Sequence, residues 1–333
     1  MLPRLRLLSS LKVDPIPALL ASRSEALVYL ARRDLLAEEA GPVTGLWELP
    51  EALKILRKQE ADGSWPYTGK VSPWFNYDLL ETFRNLGFLV EMYGFNREHP
   101  AIGAAAEYVF SCQASEGDLR GILGQQYMPY YHGAIIELLI KAGYGDDPRT
   151  TAALDWLITM RQNDGGWIVP LQALPPAEKL GLYRHGPALS PNRALPFSHL
   201  ATGMILRPLA LHPGYRGLEE VRAAATLLKQ RFLKADKYND RRAPDYWTKF
   251  PFPYWWPDLL NGLDILSRTG FTGADADVQR ALQWFVSHQQ EDGLWPTGYE
   301  KGSHARTNRK WVGLAASRVL GRPAFSGGYA GSM

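Results

Sequence analysis

Four ionisable residues stand at corresponding places in four separate helical stretches of the sequence. Asp78, His132, His199 and Asp258 each lie in the first turn of a stretch whose apolar periodicity predicts a helix. Carboxyl and imidazole groups can donate or accept protons, so a cluster of them can perform acid–base catalysis. If the fold brings these helix starts together, the four residues predict an acid–base site.

Aromatic and cationic residues accompany these four positions and are predicted to bind the substrate. They are Trp74, Asn76, Tyr77, Tyr127, Tyr130, Tyr131, Tyr254, Trp255, Trp256, Arg309, Lys310 and Trp311. An apolar pocket with a few convergent polar groups is the usual form of a small-molecule site. Aromatic faces suit a hydrophobic ligand and can stabilise a carbocation. A carboxylic acid in such a pocket has a raised pKa and can donate a proton, and Arg309 and Lys310 could bind a diphosphate.

Each candidate residue also has a structural interpretation. Aspartate is favoured as an N-cap, which fits Asp78 and Asp258 equally well. His132 and His199 could be hydrogen-bonded scaffold residues. The acid–base hypothesis requires no cofactor, whereas a zinc or iron ion held by the two aspartates and two histidines is the alternative.

A repeated motif organises the stretches that must position these side chains. Glutamine, Asp-Gly and tryptophan recur in that order in residues 59–65, 162–167 and 289–295, and a fourth copy at residues 113–118 lacks the tryptophan. Each copy follows a short amphipathic helical stretch. The Asp-Gly pair ends that helix, and the glutamine amide can satisfy backbone groups at a helix end.

This motif resembles the repeat of the squalene-cyclase and protein-prenyltransferase superfamily. The resemblance implies an all-α fold of the α/α toroid type, with concentric inner and outer helices around a central cavity. We expect one toroid domain over residues 24–322, a packing segment over residues 1–23 and a flexible tail over residues 323–333. A helical solenoid with a chance copy of the motif is the alternative.

The sequence departs from both named branches of this superfamily. The Asp-x-Asp-Asp acid motif of class II terpenoid cyclases, the Asp-Asp-x-x-Asp motif of class I and the Asp-x-Cys zinc motif of protein prenyltransferases are absent. The nearest match, at residues 275–278, opens an outer helix. The fold therefore does not carry the activity with it.

Alternating apolar and amphipathic stretches predict the order of the helices. A first helix runs from Ser24 to about Leu36; the inner helices are predicted at residues 76–94, 131–142, 198–211, 257–268 and 308–320, and the outer ones at residues 50–59, 99–112, 148–162, 218–233 and 275–289. Links from outer to inner helices are long, so the long loops must share one rim, where loops commonly carry function. Residues 181–186, in the longest loop, are a candidate lid.

Composition bounds the cellular setting and the partners. The net charge of +3 is too small to indicate a nucleic-acid partner. The single cysteine, Cys112, excludes an internal disulfide and a cysteine-rich metal site. No signal peptide or membrane span is visible, so a cytoplasmic protein is expected. The basic pI of about 8.8 permits peripheral contact with an anionic membrane, and the oligomeric state is not indicated.

The leading functional hypothesis is an enzyme that acts on a hydrophobic, isoprenoid-type small molecule in a central aromatic cavity. Its chemistry would be acid–base or of the cyclase or prenyltransferase kind. One alternative is a carbohydrate-active enzyme with paired carboxylates on an α/α barrel. The other is a toroid that binds a lipid or a peptide without catalysis.

Overall fold

The computed structural model describes residues 11–175, 178–179, 181–182, 186–238, 243–253, 256–298 and 303–325, with only the backbone described for residues 303–306. Secondary structure in this part of the chain is helical. Its only β pairing consists of two isolated bridges, Gln113 with Leu119 and Gly121 with Gly124. The all-α class predicted from the sequence is confirmed.

The α-helices are numbered here in chain order. They are α1 (Ile16–Leu20), α2 (Glu25–Ala31), α3 (Pro50–Leu56), α4 (Tyr77–Tyr93), α5 (Pro100–Ser111), α6 (Pro129–Leu139), α7 (Pro148–Thr159), α8 (His199–Leu211), α9 (Glu219–Lys229), α10 (Leu259–Arg268), α11 (Ala276–His288) and α12 (Ser303–Leu320). None of them is long and apolar enough to cross a bilayer, and this holds for all residues described.

Local side-chain chemistry sets several helix ends where the sequence predicted them. Ser24 caps α2, because its hydroxyl accepts a hydrogen bond from the backbone of Leu27 at 3.3 Å. Gly94 ends α4 in the left-handed conformation, with φ of 64°. Two features were not predicted: the short helix α1, and the start of α12 at Ser303, five residues before the predicted position.

The chain divides into two compact units, which are described separately. Unit 2 comprises residues 42–224 and 236–240. In it, α6 and α8 are buried on nearly every residue, whereas α5 and α7 each bury one stripe. The backbones of α6 and α8 approach closely at Gly133, where an added Cβ would lie 2.9 Å from the carbonyl oxygen of Met204. This layering is consistent with the inner and outer helices of an α/α toroid.

Unit 1 comprises residues 1–41, 225–235 and 241–333. Within it, the last helix, α12, packs against α1, α2 and α10. The N-terminal segment also reaches the last copy of the repeat, since Gln289 donates to the carbonyl oxygen of Val13 at 2.7 Å and accepts from the Val13 amide at 3.0 Å. Both ends of the chain therefore contribute to this unit.

The glutamine of the repeat is a bridge between two backbone segments. The Gln59 amide donates to the carbonyl oxygen of Gly63 at 2.9 Å and to that of Ala101, in the first turn of α5, at 2.8 Å. Gln113 repeats the arrangement with Gly117 at 2.8 Å and Arg149, in the first turn of α7, at 2.9 Å. Both amide protons are used, so each glutamine ties its own turn to the next amphipathic helix.

The glycine of the repeat allows that turn to touch the neighbouring helix. Gly63 has φ of +91°, and an added Cβ would lie 2.1 Å from the carbonyl oxygen of Ala104 in α5. Gly117 has φ of +107°, and an added Cβ would lie 2.5 Å from the carbonyl oxygen of Ala152 in α7. The repeat therefore needs glycine for its conformation and for its close packing.

The tryptophan of the repeat caps the preceding helix. The indole nitrogens of Trp65, Trp167 and Trp295 each donate to a carbonyl ten residues earlier, at 2.8, 2.7 and 2.7 Å. All three rings are buried. The tryptophan thus folds back on the helix end in the three copies that carry it.

We predict that replacing Gln289 with alanine destabilises the protein by about 2–3 kcal/mol. The reason is the loss of its hydrogen bonds to Val13 and Gly293, each contributing about 1 kcal/mol. Urea unfolding of the purified full chain measures the change. Gln290→Ala, at an exposed neighbouring position, is the control and should change stability by less than about 0.5 kcal/mol. Equal effects of the two substitutions would contradict the bridging role.

Candidate functional site

The start of α4 places Asp78 beside aromatic side chains in unit 2. Asn76 caps the helix, since its side-chain oxygen accepts from the backbone of Leu79 at 2.8 Å. This leaves Asp78 free of the capping role that was its alternative interpretation. One Asp78 oxygen instead accepts from the backbone amide of Tyr67 at 2.7 Å. The carboxyl group is half-buried, and among the described residues its second oxygen accepts no hydrogen bond.

Tyr67, whose backbone amide donates to Asp78, and two residues just before Asp78 in the chain form a small aromatic cluster, defined here as Tyr67, Phe75 and Tyr77. Tyr77 stacks on Tyr67 with ring centroids 5.0 Å apart and meets Phe75 edge-on at 6.0 Å. Trp74, on the same loop, is 38% exposed. Hydrophobic ring faces and a carboxyl group therefore occur together at this helix start.

The start of α6 holds His132 in a fully buried position. Its Nδ1 accepts from the backbone amide of Leu119 at 2.9 Å, and its Nε2 lies 3.1 Å from the carbonyl oxygen of Ala153. These contacts define the tautomer, with the proton on Nε2. Burial lowers the pKa of His132 to about 3, although the hydrogen bond to Ala153 acts in the opposite direction. The ring is therefore neutral at physiological pH.

His132 occupies a position in the repeat that threonine occupies elsewhere. The hydroxyl of Thr82 in α4 accepts from the backbone of Trp65 at 3.0 Å, and that of Thr202 in α8 accepts from Trp167 at 3.0 Å. His132 does the same for Leu119, the residue that replaces tryptophan in the fourth copy. These contacts give His132 the scaffold role that was its alternative interpretation.

The start of α8 brings His199 near a carboxylate that the sequence analysis missed. Asp236 is buried, and one of its oxygens accepts from the Ser198 hydroxyl and the Leu200 amide, both at 2.8 Å. The Nε2 atom of His199 lies 3.6 Å from the same oxygen. Asp236 stands 37 residues after His199 in a loop, so no local pattern marks it.

Asp258 caps α10 in unit 1. Its Oδ1 accepts from the backbone amide of Asn261 at 2.9 Å and from the Asn261 side chain at 3.1 Å. The residue is buried. Asp258 therefore has the N-cap role that was its alternative interpretation in the sequence.

The cationic candidates on α12 contact protein groups of unit 1. Arg309 forms a two-pronged ion pair with Asp292, at 2.6 and 2.5 Å, and donates to the carbonyl oxygen of Trp295 at 3.1 Å. Lys310 donates to the carbonyl oxygen of Ala21 at 3.0 Å. These contacts tie α12 to the last repeat and to the segment after α1.

The remaining substrate-binding candidates differ in accessibility. Tyr130 is buried and lies against Tyr131, which meets Phe83 edge-on at 6.0 Å. Trp311 is buried and stacks on Phe252 with centroids 5.3 Å apart. Trp256 is half-buried, and its carbonyl oxygen accepts from the Asn261 side chain. Tyr254 and Trp255 lie outside the described residues.

A polar cluster on the loop before α6 was also missed. Burial raises the pKa of the Asp118 carboxyl above its ordinary value, even though Arg120 donates to both of its oxygens at 2.9 and 3.0 Å. Arg120 also pairs with Glu116 at 2.6 Å, and it lies over the Tyr127 ring, 4.9 Å from its centroid. Tyr127, a predicted binding residue, donates its hydroxyl to Glu116 at 3.2 Å.

Gln126 anchors the candidate lid and was not singled out from the sequence. Its side-chain nitrogen lies 3.1, 3.3 and 2.8 Å from the carbonyl oxygens of Leu182, Gly186 and Pro187, and its oxygen accepts from the Leu189 amide at 3.1 Å. Gln126 itself is buried. Leu182 and Gly186 of the candidate lid are thereby held to the segment that leads into α6, and residues 183–185 of the lid lie outside the described part of the chain.

Unit 2 thus contains Asp78, His132 and His199, and unit 1 contains Asp258, Arg309, Lys310 and Trp311. Within the described part of the chain, no three His, Cys, Asp or Glu side chains lie together as metal ligands would. Among the four ionisable candidates, Asp78 has a half-buried carboxyl group of which one oxygen accepts from the Tyr67 amide.

Neither a protein-family model nor a curated protein sequence matches the chain. Solved structures similar to it include the ligand-free type II terpene cyclase MstE from Scytonema, with a TM-score of 0.32 and 12% identity over 84% of this chain and 97% of that one. A variant of that cyclase in complex with geranylgeranyl dihydroxybenzoate has a TM-score of 0.33 and 13% identity, over 97% of this chain and 99% of that one. A protein from Actinoplanes has a TM-score of 0.28 and 16% identity, over 84% of this chain and 98% of that one. Because the similarity is this weak, no residue of those proteins can be matched to a residue of this chain.

We predict that His132 makes the protein less stable in acid. Between pH 6.5 and 3 the unfolded chain binds a proton on this ring and the folded chain does not. Stability is therefore fully present above pH 6.5 and falls as the pH drops, by up to about 1.4 kcal/mol per pH unit. His132→Gln keeps an acceptor and a donor but cannot titrate, so urea unfolding at pH 7 and pH 5 should show a smaller loss for this variant.

His288→Gln removes an exposed histidine and serves as the control. Its acid sensitivity should match that of the unmodified protein. Parallel stability–pH profiles for His132→Gln and the unmodified protein would contradict the neutral, buried state of His132.

We predict that Gln126→Ala releases the loop at residues 182–189. The substitution removes the hydrogen bonds that hold this segment, which amounts to about 2–3 kcal/mol of local stability and roughly a 30- to 160-fold increase in the open population. Limited proteolysis followed by mass spectrometry measures cleavage within residues 179–189. Gln125→Ala, at the exposed neighbouring position, should leave the cleavage rate unchanged. An unaltered rate for Gln126→Ala would show that other contacts hold the loop.

Proposed function

We propose that this protein is an enzyme acting on a hydrophobic, isoprenoid-type substrate, with Asp78 as its acid–base group. The observation that supports the proposal is the joint occurrence of Asp78 and the aromatic cluster of Tyr67, Phe75 and Tyr77 at one helix start. Ring faces bind apolar chains and stabilise positive charge. A carboxyl group among them can exchange a proton with a bound ligand.

Asp78 is preferred over the other candidates because of what those residues already contact. His132 uses both nitrogens on backbone groups. Asp258 caps a helix, and His199 lies beside the buried Asp236. A catalytic acid or base must reach the reacting atom within hydrogen-bonding distance. Asp78 has an oxygen available for such a contact and is held in place through the other.

The proposed chemistry is proton transfer to an unsaturated carbon. The Asp78 carboxyl, in its acid form, would donate a proton to a double bond of the substrate and become a carboxylate. The resulting carbocation would lie against the rings of Tyr67, Phe75 and Tyr77. The π electrons of a second double bond in the same substrate molecule would attack this carbocation and form a carbon–carbon bond. Loss of a proton from the new cation to a base would complete a cyclase-like reaction.

A second candidate function is binding of a lipid without catalysis. The observation that favours it is the engagement of His132, Arg309 and Lys310 with backbone carbonyl or amide groups. These residues stabilise the scaffold, which leaves fewer groups for chemistry. The aromatic cluster would then serve as the wall of a receptor site.

We predict that Asp78→Asn lowers turnover at least about 100-fold and leaves substrate binding intact. Asparagine keeps the oxygen that accepts from the Tyr67 amide but cannot donate an acidic proton, and general acid–base groups contribute about 10²–10⁴-fold. The unmodified protein is incubated with linear isoprenoid alcohols, prenyl diphosphates and geranylgeranyl dihydroxybenzoate. Mass spectrometry detects cyclised or transferred products, and thermal shift detects binding.

Asp146→Asn, on an exposed carboxylate of unit 2, is the matched control and should retain full turnover. Thermal stabilisation without any product from the panel would favour the receptor function. No stabilisation and no product with any compound would refute the isoprenoid proposal.

A further inference from the structure

The cap of α4 is joined to a second helix of unit 2 by a contact that capping itself does not require. The side-chain oxygen of Asn76 accepts from the Leu79 amide at 2.8 Å, and this one hydrogen bond is enough for an N-cap. The same oxygen also accepts from the hydroxyl of Tyr108, in α5, at 3.2 Å. The cap is therefore shared between the helix that it begins and α5.

Two further contacts hold Asn76 to the chain at and after the end of α5. Its side-chain nitrogen donates to the sulfur of Cys112 at 3.6 Å, and its backbone amide donates to the carbonyl oxygen of Gly121 at 3.0 Å. The two backbones are close here, because a Cβ added at Gly121 would lie 3.0 Å from the Cβ of Asn76. The start of α4 is thus fixed by groups outside its own helix.

Asp78 lies two residues after this cap and is held from a second direction. One of its oxygens accepts from the Tyr67 amide at 2.7 Å. The direction of a helical side chain follows the orientation of its own turn. A change that loosens the cap at Asn76 therefore also weakens the contact between the Asp78 carboxyl group and the Tyr67 amide.

The hydroxyl of Tyr108 stays protonated and so remains a donor to Asn76. Burial raises the pKa of Tyr108 to about 12, and the charge of Asp78 acts in the same direction, although the hydrogen bond with Asn76 opposes both. Tyr108 and Asp78 are thus near enough to interact electrostatically. Tyr108 itself is half-buried on α5 and is not among the residues of the proposed site.

We infer that Tyr108 is a positioning residue, whose hydroxyl holds Asn76 and thereby keeps the Asp78 carboxyl group in the orientation needed at the proposed site. The inference rests on the proposed function for the catalytic role of Asp78. Small displacements of a reacting group cost a large part of its rate contribution. A role in capping alone would affect the Leu79 amide and leave the contact between Asp78 and Tyr67 unchanged.

Amide hydrogen exchange of the full chain, measured by NMR, tests this orientation without a substrate. Tyr108→Phe removes only the hydroxyl, and we expect exchange at the Tyr67 and Leu79 amides to become about 2- to 12-fold faster, as for the loss of one neutral hydrogen bond. The Trp167 amide, bonded elsewhere in unit 2, should keep its rate. Tyr215→Phe also removes a hydrogen-bonded hydroxyl of unit 2 and is the control, with no change at Tyr67.

A second variant, Asn76→Ala, tests whether Tyr108 acts through Asn76. In the Asn76→Ala background, Tyr108→Phe should cause no further increase in exchange at the Tyr67 amide, because the two substitutions remove the same connection. Circular dichroism verifies that each variant is folded. Unchanged exchange at Tyr67 in folded Tyr108→Phe, or a further increase in the Asn76→Ala background, overturns the inference.

The kinetic consequence separates this inference from the proposed function. With any isoprenoid compound that the unmodified protein converts, Tyr108→Phe should lower kcat by about the same factor as it accelerates exchange and leave KM unchanged. An unchanged kcat in the folded variant overturns the positioning role. If no compound is converted, the proposed function fails, and the exchange rates alone decide whether Tyr108 orients Asp78.

Discussion

The hydrogen bonds of one glutamine side chain per repeat hold neighbouring segments of this fold together. In two copies the amide joins the end of one amphipathic helix to the first turn of the next, and in a third it joins the last such helix to the N-terminal segment. A carboxylate could not replace it, because both contacts require a donor. The glycine of the same motif lets the turn approach the neighbouring helix closely, and the tryptophan caps the preceding helix. The motif is therefore explained by architecture and needs no catalytic role.

The hydrogen-bonding needs of the repeat also determine which polar side chains at the helix starts are already engaged. Wherever a turn of the repeat meets an inner helix, the backbone amide after the turn needs an acceptor. Thr82 and Thr202 supply a hydroxyl in two copies, and His132 supplies a ring nitrogen in the copy that lacks tryptophan. The accumulation of polar residues at these helix starts thus has a structural cause. Asp78 differs because it accepts from Tyr67, two residues beyond the repeat, and keeps one oxygen available.

The sequence predicted the features that depend on short-range chemistry. Ser24 and Gly94 end their helices as expected, because a cap interacts with residues only three to five positions away. The spacing of the repeat located the amphipathic helices for the same reason. The starts of α4, α6, α8 and α10 were predicted to within two residues, but the partners of their side chains were not. His199 was chosen for its position, whereas the nearby Asp236 lies in a loop far along the chain.

Gln126 illustrates the same limit for loops. It precedes α6 by three residues and binds atoms 56 to 63 residues later. Nothing in its immediate neighbours distinguishes it from the exposed Gln125. Long-range contacts of this kind arise from how the chain folds back, and a single sequence does not show them in any local period.

A raised pKa does not by itself identify the carboxyl group that would serve as the proposed catalytic acid. Burial raises the pKa of Asp118, which would suit a proton donor, but only 1% of that residue is exposed and Arg120 occupies both of its oxygens. A donor must touch its substrate, and a ligand could reach Asp118 only by displacing the arginine. Asp78 satisfies the requirement of access without such a rearrangement. Contact with a ligand is the stricter criterion, and it favours Asp78 over the buried carboxyl group.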